Sequence, residues 1–174
     1  KLKMGDPVLT SKVVLKPRPG IQATQADYEA QTELMKKIVD EASLIHKEVI
    51  SSRKTVSQLK ETSSMLKERP GTEQIRQNAD KIVKDLQAWE EDVVQNKAKS
   101  NDDIINYVNK ITADYIFLKG DIEANVPYVT EGQKQQFETL HNQWEKLKER
   151  KANIEREIIT LNADINKANI GRII

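Results

Sequence analysis

From Tyr28 to Leu66 apolar side chains recur every third and fourth residue, and nothing else in the chain restricts its fold as strongly. One heptad position holds Tyr28, Met35, Ala42, Val49 and Val56, and the other holds Gln31, Ile38, Ile45, Ser52, Leu59 and Leu66. A strand alternates with period two, so this spacing belongs to one helix. Thr24 is a good N-cap, with Asp27 three residues on, at the positive end of the helix dipole. Arg69-Pro70-Gly71 stops the run. At ~1.5 Å per residue the helix would be roughly 60–65 Å long. Leu34, Val39 and Ile50 widen its stripe beyond a two-helix seam, which predicts contact with more than one partner helix.

The remaining chain supplies those partners. Thr72 caps a second helix, in which Ile75, Ala79, Ile82, Leu86, Trp89 and Val93 keep the three-four spacing to about residue 97. Lys99-Ser100-Asn101 breaks it. Asp102-Asp103 opens a third helix striped by Ile104, Val108, Ile111, Tyr115, Leu118 and Ile122, which Asn125-Val126-Pro127 ends. Thr130 and Gln133 form a capping box for a fourth helix. Its heptads carry Phe137, Trp144, Ile158 and Ile165 at one position and Leu140, Leu147, Ile154 and Leu161 at the other. Lys151 interrupts the first register, and its stem is expected to be buried with the amine in water. The apolar tail Ile170 to Ile174 is expected to dock. Short connections favour antiparallel neighbours, hence an elongated up-down-up-down four-helix bundle of two long and two shorter helices.

Residues 1–20 read differently. Leu2 and Met4 alternate with Lys1 and Lys3, and Gly5-Asp6-Pro7 makes a turn. Val8 to Leu15 then alternates again, with Leu9, Val13 and Leu15 on one face. This predicts a β-hairpin, followed by the stiff connector Pro17-Arg18-Pro19-Gly20. A lone hairpin is marginal in water, so it must lean on the helices or belong to a missing sheet. The chain opens at Lys1 in the middle of a strand and reads as a cut fragment. The domain division is therefore 1–20 for the hairpin and linker and 21–174 for the bundle.

Charged residues make up 32% of the chain, with 28 basic and 27 acidic side chains interspersed, so no basic surplus exists to neutralise phosphates. No nucleic acid is expected as partner. No stretch approaches the ~18 apolar residues of a membrane span. The absence of Cys excludes disulfides and thiolate chemistry. His46 and His141 lie on different helices, and neither has a ligand partner at helical metal-motif spacing. Carboxylate runs such as Glu90-Glu91-Asp92 point around a helix, whereas a glycosidase pair must face across a cleft. No glycine-rich phosphate loop or nucleophile elbow occurs. The expectation is no catalytic residue, no cofactor and no metal, with Trp89 and Trp144 in the core.

Several segments resemble one family. Lys12-Val13-Val14-Leu15-Lys16-Pro17-Arg18 resembles the final strand of the immunoglobulin-like domain in bacterial sortilin-like proteins, with Lys16 where the family pattern has Asp. Ala26-Asp27-Tyr28-Glu29-Ala30-Gln31 resembles the start of the first helix of their C-terminal region. Asn106-Tyr107-Val108-Asn109-Lys110-Ile111 with Phe117-Leu118-Lys119-Gly120 resembles its third helix, and Gln143-Trp144 with Leu147 its last. The family comprises secreted β-propeller proteins with BNR/Asp-box repeats, common in Bacteroidetes-type bacteria and often labelled glycosyl hydrolases. The resemblance implies a secreted or cell-envelope location, with the upstream propeller and immunoglobulin-like domains as partners. It carries no catalytic residue onto this chain. The expected function is a non-catalytic structural or interaction module, monomeric, that braces or spaces the propeller. An accessory role in a glycoside hydrolase and a coiled-coil oligomerisation module remain the alternatives.

Overall fold

The computed structural model describes residues 2–3, 8–14, 16–100, 103, 105–124 and 127–168. Four helices pack as a bundle: α1 (Gln25–Met65), α2 (Glu73–Val93), α3 (Ile111–Ala124) and α4 (Glu131–Lys167). Two are long, at 41 and 37 residues, and two are shorter, at 21 and 14. Both predicted capping boxes form. Thr24 and Asp27 exchange hydrogen bonds at the start of α1, and Thr130 and Gln133 do so at the start of α4. Thr72 caps differently. Its hydroxyl makes no bond into α2 and donates instead to Leu66 O and Arg69 O, at 2.8 and 2.7 Å, tying the α1–α2 turn in which Gly71 takes φ +77°.

The core is the heptad stripe of each helix. Ile38, Ile45, Leu59, Ile82, Leu86, Trp89, Ile111, Tyr115, Leu118, Trp144, Leu161 and Ile165 are almost wholly buried. Val39 and Ile50 do not widen the stripe of α1; they are exposed, and only Leu34 packs partly against the core. Each heptad stripe already faces two neighbouring helices, so a residue one step outside it meets water.

The run of the helices departs from up-down-up-down. Ser63 and Arg53 of α1 bond Asp80 and Glu90 of α2, so these two are antiparallel. Gln31 and Glu41 of α1 bond Ile122 O and Tyr115 of α3, which makes α3 antiparallel to α1 as well. Lys81 and Trp89 of α2 reach Glu157 and Leu147 of α4. Thus α2 and α3 both run down, end to end, and α4 returns parallel to α1. Thr112 Oγ1 donates to Val93 O at 2.9 Å, which marks the joint between the two short helices. At each level the section holds three helices: α1, α4 and either α2 or α3. The physical reason is length. At ~1.5 Å per residue α1 spans about 60 Å and α2 about 32 Å, so α2 leaves the first half of α1 uncovered and α3 covers it.

Residues 94–110 leave this joint and return to it. The third helix begins at Ile111, not at Asp102-Asp103, and α2 ends at Val93, not near residue 97. Asp103 accepts instead from the backbone N–H groups of Lys99 and Ser100, bonds that hold its carboxyl below the usual range. Val108, expected in the stripe of α3, is exposed.

Of the expected hairpin, Leu2–Lys3 and Val8–Leu9 make a two-residue antiparallel ladder, with Leu2 opposite Leu9 and Lys3 opposite Val8. The turn at Gly5-Asp6-Pro7 lies outside the described residues, as do Leu15 and the tail from Asn169 to Ile174. The second strand does not continue past Leu9. Val13 and Val14 are both exposed, so alternation there selects no buried face.

Candidate functional site

Two surfaces are open to function. The first is the seam between the parallel helices α1 and α4, whose backbones scarcely approach each other, unlike the other long seams. Side chains bridge it. His141 Nδ1 lies 2.5 Å from Glu41 Oε1, while the hydroxyl of buried Tyr115 donates to Glu41 Oε2 from α3. His141 Nε2 is 3.8 Å from Glu145, and Phe137 stacks on the imidazole with centroids 6.0 Å apart. Burial, and then the bond to Glu41, push the Tyr115 phenol far above its ordinary value. His46, in contrast, faces solvent and bonds Ala42 O within α1, so the fold does not bring the two histidines together.

Nearly three turns further along α4, Lys151 crosses the same seam. Its ammonium is not in water, as the sequence suggested: the side chain is 7% exposed and pairs with Glu48, with Glu155 at 3.6 Å and the Trp89 ring centroid at 5.4 Å. Trp89 donates its indole N–H to Leu147 O at 2.8 Å and tilts against Trp144, centroids 6.5 Å apart. The Trp144 indole N–H is buried and meets no acceptor among the described residues. Trp144 lines an opening in the seam with Leu44, Glu48, Lys148, Lys151 and Ala152. Two further hollows continue it toward the start of α1, floored by Leu34 and Phe137 and rimmed by Glu33, Lys37, Asp40, Lys134 and Glu138.

The second surface is apolar. The inner side of α3 buries Ile111, Tyr115, Leu118 and Ile122, yet its outer side presents Ala113, Ile116, Phe117 and Gly120. Ile116 is 58% and Phe117 60% exposed. The adjoining residues 94–110 expose Ile105 and Val108 at 86% and 82%. This segment is anchored at its neck, where Arg53 and Asn96 both bond Glu90 and Gln95 bonds Val108 O. A sequence signal for this surface exists: α3 carries apolar residues on two opposite faces, with Asp114 and Asp121 on one flank between them and Lys119 and Glu123 on the other, whereas a surface helix ordinarily has one apolar face.

Chemically, the paired groups of the seam hold helices together. Glu41, His141, Glu48 and Lys151 each have a partner, and among the described residues no group of three His, Cys, Asp or Glu side chains is placed to hold a metal ion. No described helix is long and apolar enough to cross a membrane. No protein-family model, curated protein or solved structure matches the chain.

Proposed function

We propose that the chain is a non-catalytic helical interaction module that braces or spaces neighbouring domains of a larger secreted protein. The observation that carries this is the outer face of α3, where Ile116 and Phe117 are more than half exposed on a helix otherwise committed to the core. Contiguous apolar surface of this kind is a docking feature. The polar groups that meet across the seam are paired with one another, and among the described residues of the seam none stands as a free base beside a nucleophile, which weighs against hydrolysis. The heptad residues of α1 and α4 are buried within the chain, which weighs against pairing with a second coiled coil. The resemblance to sortilin-like proteins supplies the partners, the propeller and immunoglobulin-like domains, and with them the secreted or envelope location.

The test is a titration of the upstream propeller, expressed without this segment, with the purified bundle. Saturable binding that falls at least tenfold in Phe117→Asp supports the brace, since a buried aromatic anchor carries about 2 kcal/mol or more of an interface. No binding, with both pieces independently stable, rejects it.

A further inference from the structure

The outer apolar strip of α3 is bordered by charge, and its two borders differ. On one, Lys119 and Glu123 pair with each other at 2.6 Å, one turn apart. On the other stands Asp114, partly buried. Burial alone pushes its carboxyl above the usual carboxylate range, with no cation and no donor among the described residues near enough to offset the cost. Its place in the first turn of α3 favours the ionised form, so this border keeps a negative charge. Lys110, four residues earlier, makes no ion pair with it and lines a hollow with Glu91 and Tyr107 instead. Asp121, two turns on along the same border, lines the apolar opening and accepts from Gln133 of α4 at 2.6 Å.

Phe117 follows Asp114 by three residues, so the two are neighbours on the helix surface. A helical side chain leans toward the N-terminus, which lays this ring, 60% exposed, over the turn that carries Asp114. Ala113 and Gly120 on either side are too small to cover it, and a Cβ built at Gly120 meets nothing within 4 Å.

We propose that the outer face of α3 receives an arginine of its partner, the guanidinium flat on the Phe117 ring and its edge paired with the Asp114 carboxylate, with apolar neighbours of that arginine covering Ile116. Charge complementarity selects this occupant. A purely apolar cover would bury the Asp114 anion further and leave it without a partner, which is costly. An anionic surface would meet it as a like charge. A cation supplies the partner that the fold withholds. Arginine does so better than lysine, because its planar guanidinium stacks on aromatic faces and its fork meets a carboxylate through two bonds. Resting on the docking role proposed for α3, this assignment fixes the chemistry of the group that docks.

In the full chain, the probe is the peptide acetyl-Leu-Arg-Leu amide, with citrulline in place of arginine as its neutral isostere. The arginine peptide at millimolar concentration is expected to shift the Phe117 ring and Asp114 amide resonances saturably. The citrulline peptide is expected to bind more weakly by about threefold or more, the size of an exposed cation–π contact with its ion pair. Asp114→Asn, which keeps the shape of the side chain, is expected to erase that difference, and Glu123→Gln, on the paired border, to leave it. Equal shifts from the two peptides, or none, would overturn the arginine site whatever the propeller does. Against the upstream propeller, Asp114→Asn is expected to weaken binding about tenfold or more. Propeller binding lost in Phe117→Asp yet unchanged in Asp114→Asn leaves the brace standing and overturns the arginine. Arginine-dependent peptide binding without propeller binding keeps the arginine site and rejects the brace. A light-scattering mass of twice the chain that halves in Phe117→Asp would put a second copy on this face and overturn the proposal.

Discussion

Lys151 occupies a heptad position that asks for an apolar side chain, and the fold accommodates it by pairing rather than by exposure. Its ammonium meets Glu48 from α1 and lies over the Trp89 ring. Removing the anion strands a buried cation. Glu48→Ala is expected to destabilise the chain by about 2 kcal/mol in urea unfolding, below the ~3–5 kcal/mol of a fully buried pair. Glu48 is one-third exposed and Glu155 stands by as a weaker partner, and both soften the loss. Lys151→Met in the Glu48→Ala background is expected to recover most of it, because the methionine fills the same channel without a charge. Tyr115 gives a second residue-level test. Burial and Glu41 favour its neutral phenol, so its pKa is raised in the folded chain. The stability this contributes is complete below about pH 10, the ordinary tyrosine value, and is lost as pH rises beyond it. The urea midpoint of the native chain is therefore expected to fall between pH 9.5 and 11 more steeply than that of Tyr115→Phe. The heptads mark Tyr115 as core, which it is. Its bond to Glu41 and the meeting with His141 join residues from three helices, and no local pattern encodes that.

Among the elements, α3 is the anomaly. Gly120 sits inside it, and a Cβ built there meets nothing within 4 Å, so nothing within the molecule requires glycine. Gly120→Ala is expected to stabilise the chain by about 0.5–1 kcal/mol in thermal melting, the ordinary cost of glycine within a helix. A loss of stability would show that this backbone is strained. The caps show what is legible locally. Thr24 with Asp27 and Thr130 with Gln133 were readable because a capping box is complete within four residues. Thr72 was misleading because the turn made by Gly71 turns its hydroxyl back to carbonyls of the preceding turn. The start of α3 departs from its local pattern for a similar reason. Asp102-Asp103 resembles a first turn, but Asp103 closes a turn of its own on Lys99 and Ser100.

For the molecule as a whole, the joint between α2 and α3 decides the architecture. Residues 94–110 depart from Val93 and return beside it, so the helices on either side need no long connection to stay in place. Replacing residues 95–109 by a short Gly-Ser turn is expected to leave the helix content by circular dichroism and the thermal midpoint within a few degrees of the native chain. A midpoint lower by about 10 °C or more would make this segment part of the core, since ~1 kcal/mol shifts the midpoint of a domain this size by about 2–4 °C.

By itself the sequence determined that this protein is a bundle of four helices, two long and two shorter, where three of them are capped or stopped, and nearly all of the buried stripe. Those properties come from a period of 3.6 residues and from side chains bonding their own backbone, both of which act within a few residues. Only the tertiary structure decided that α2 and α3 run in the same direction, that α4 lies parallel to α1, that Lys151 is paired in the interior, and that one side of α3 stays open. A heptad states which face of a helix is buried but not which helix covers it. The choice of neighbour follows from matching helix lengths and from charges that meet only after packing, and such contacts lie as far as 103 residues apart in the chain.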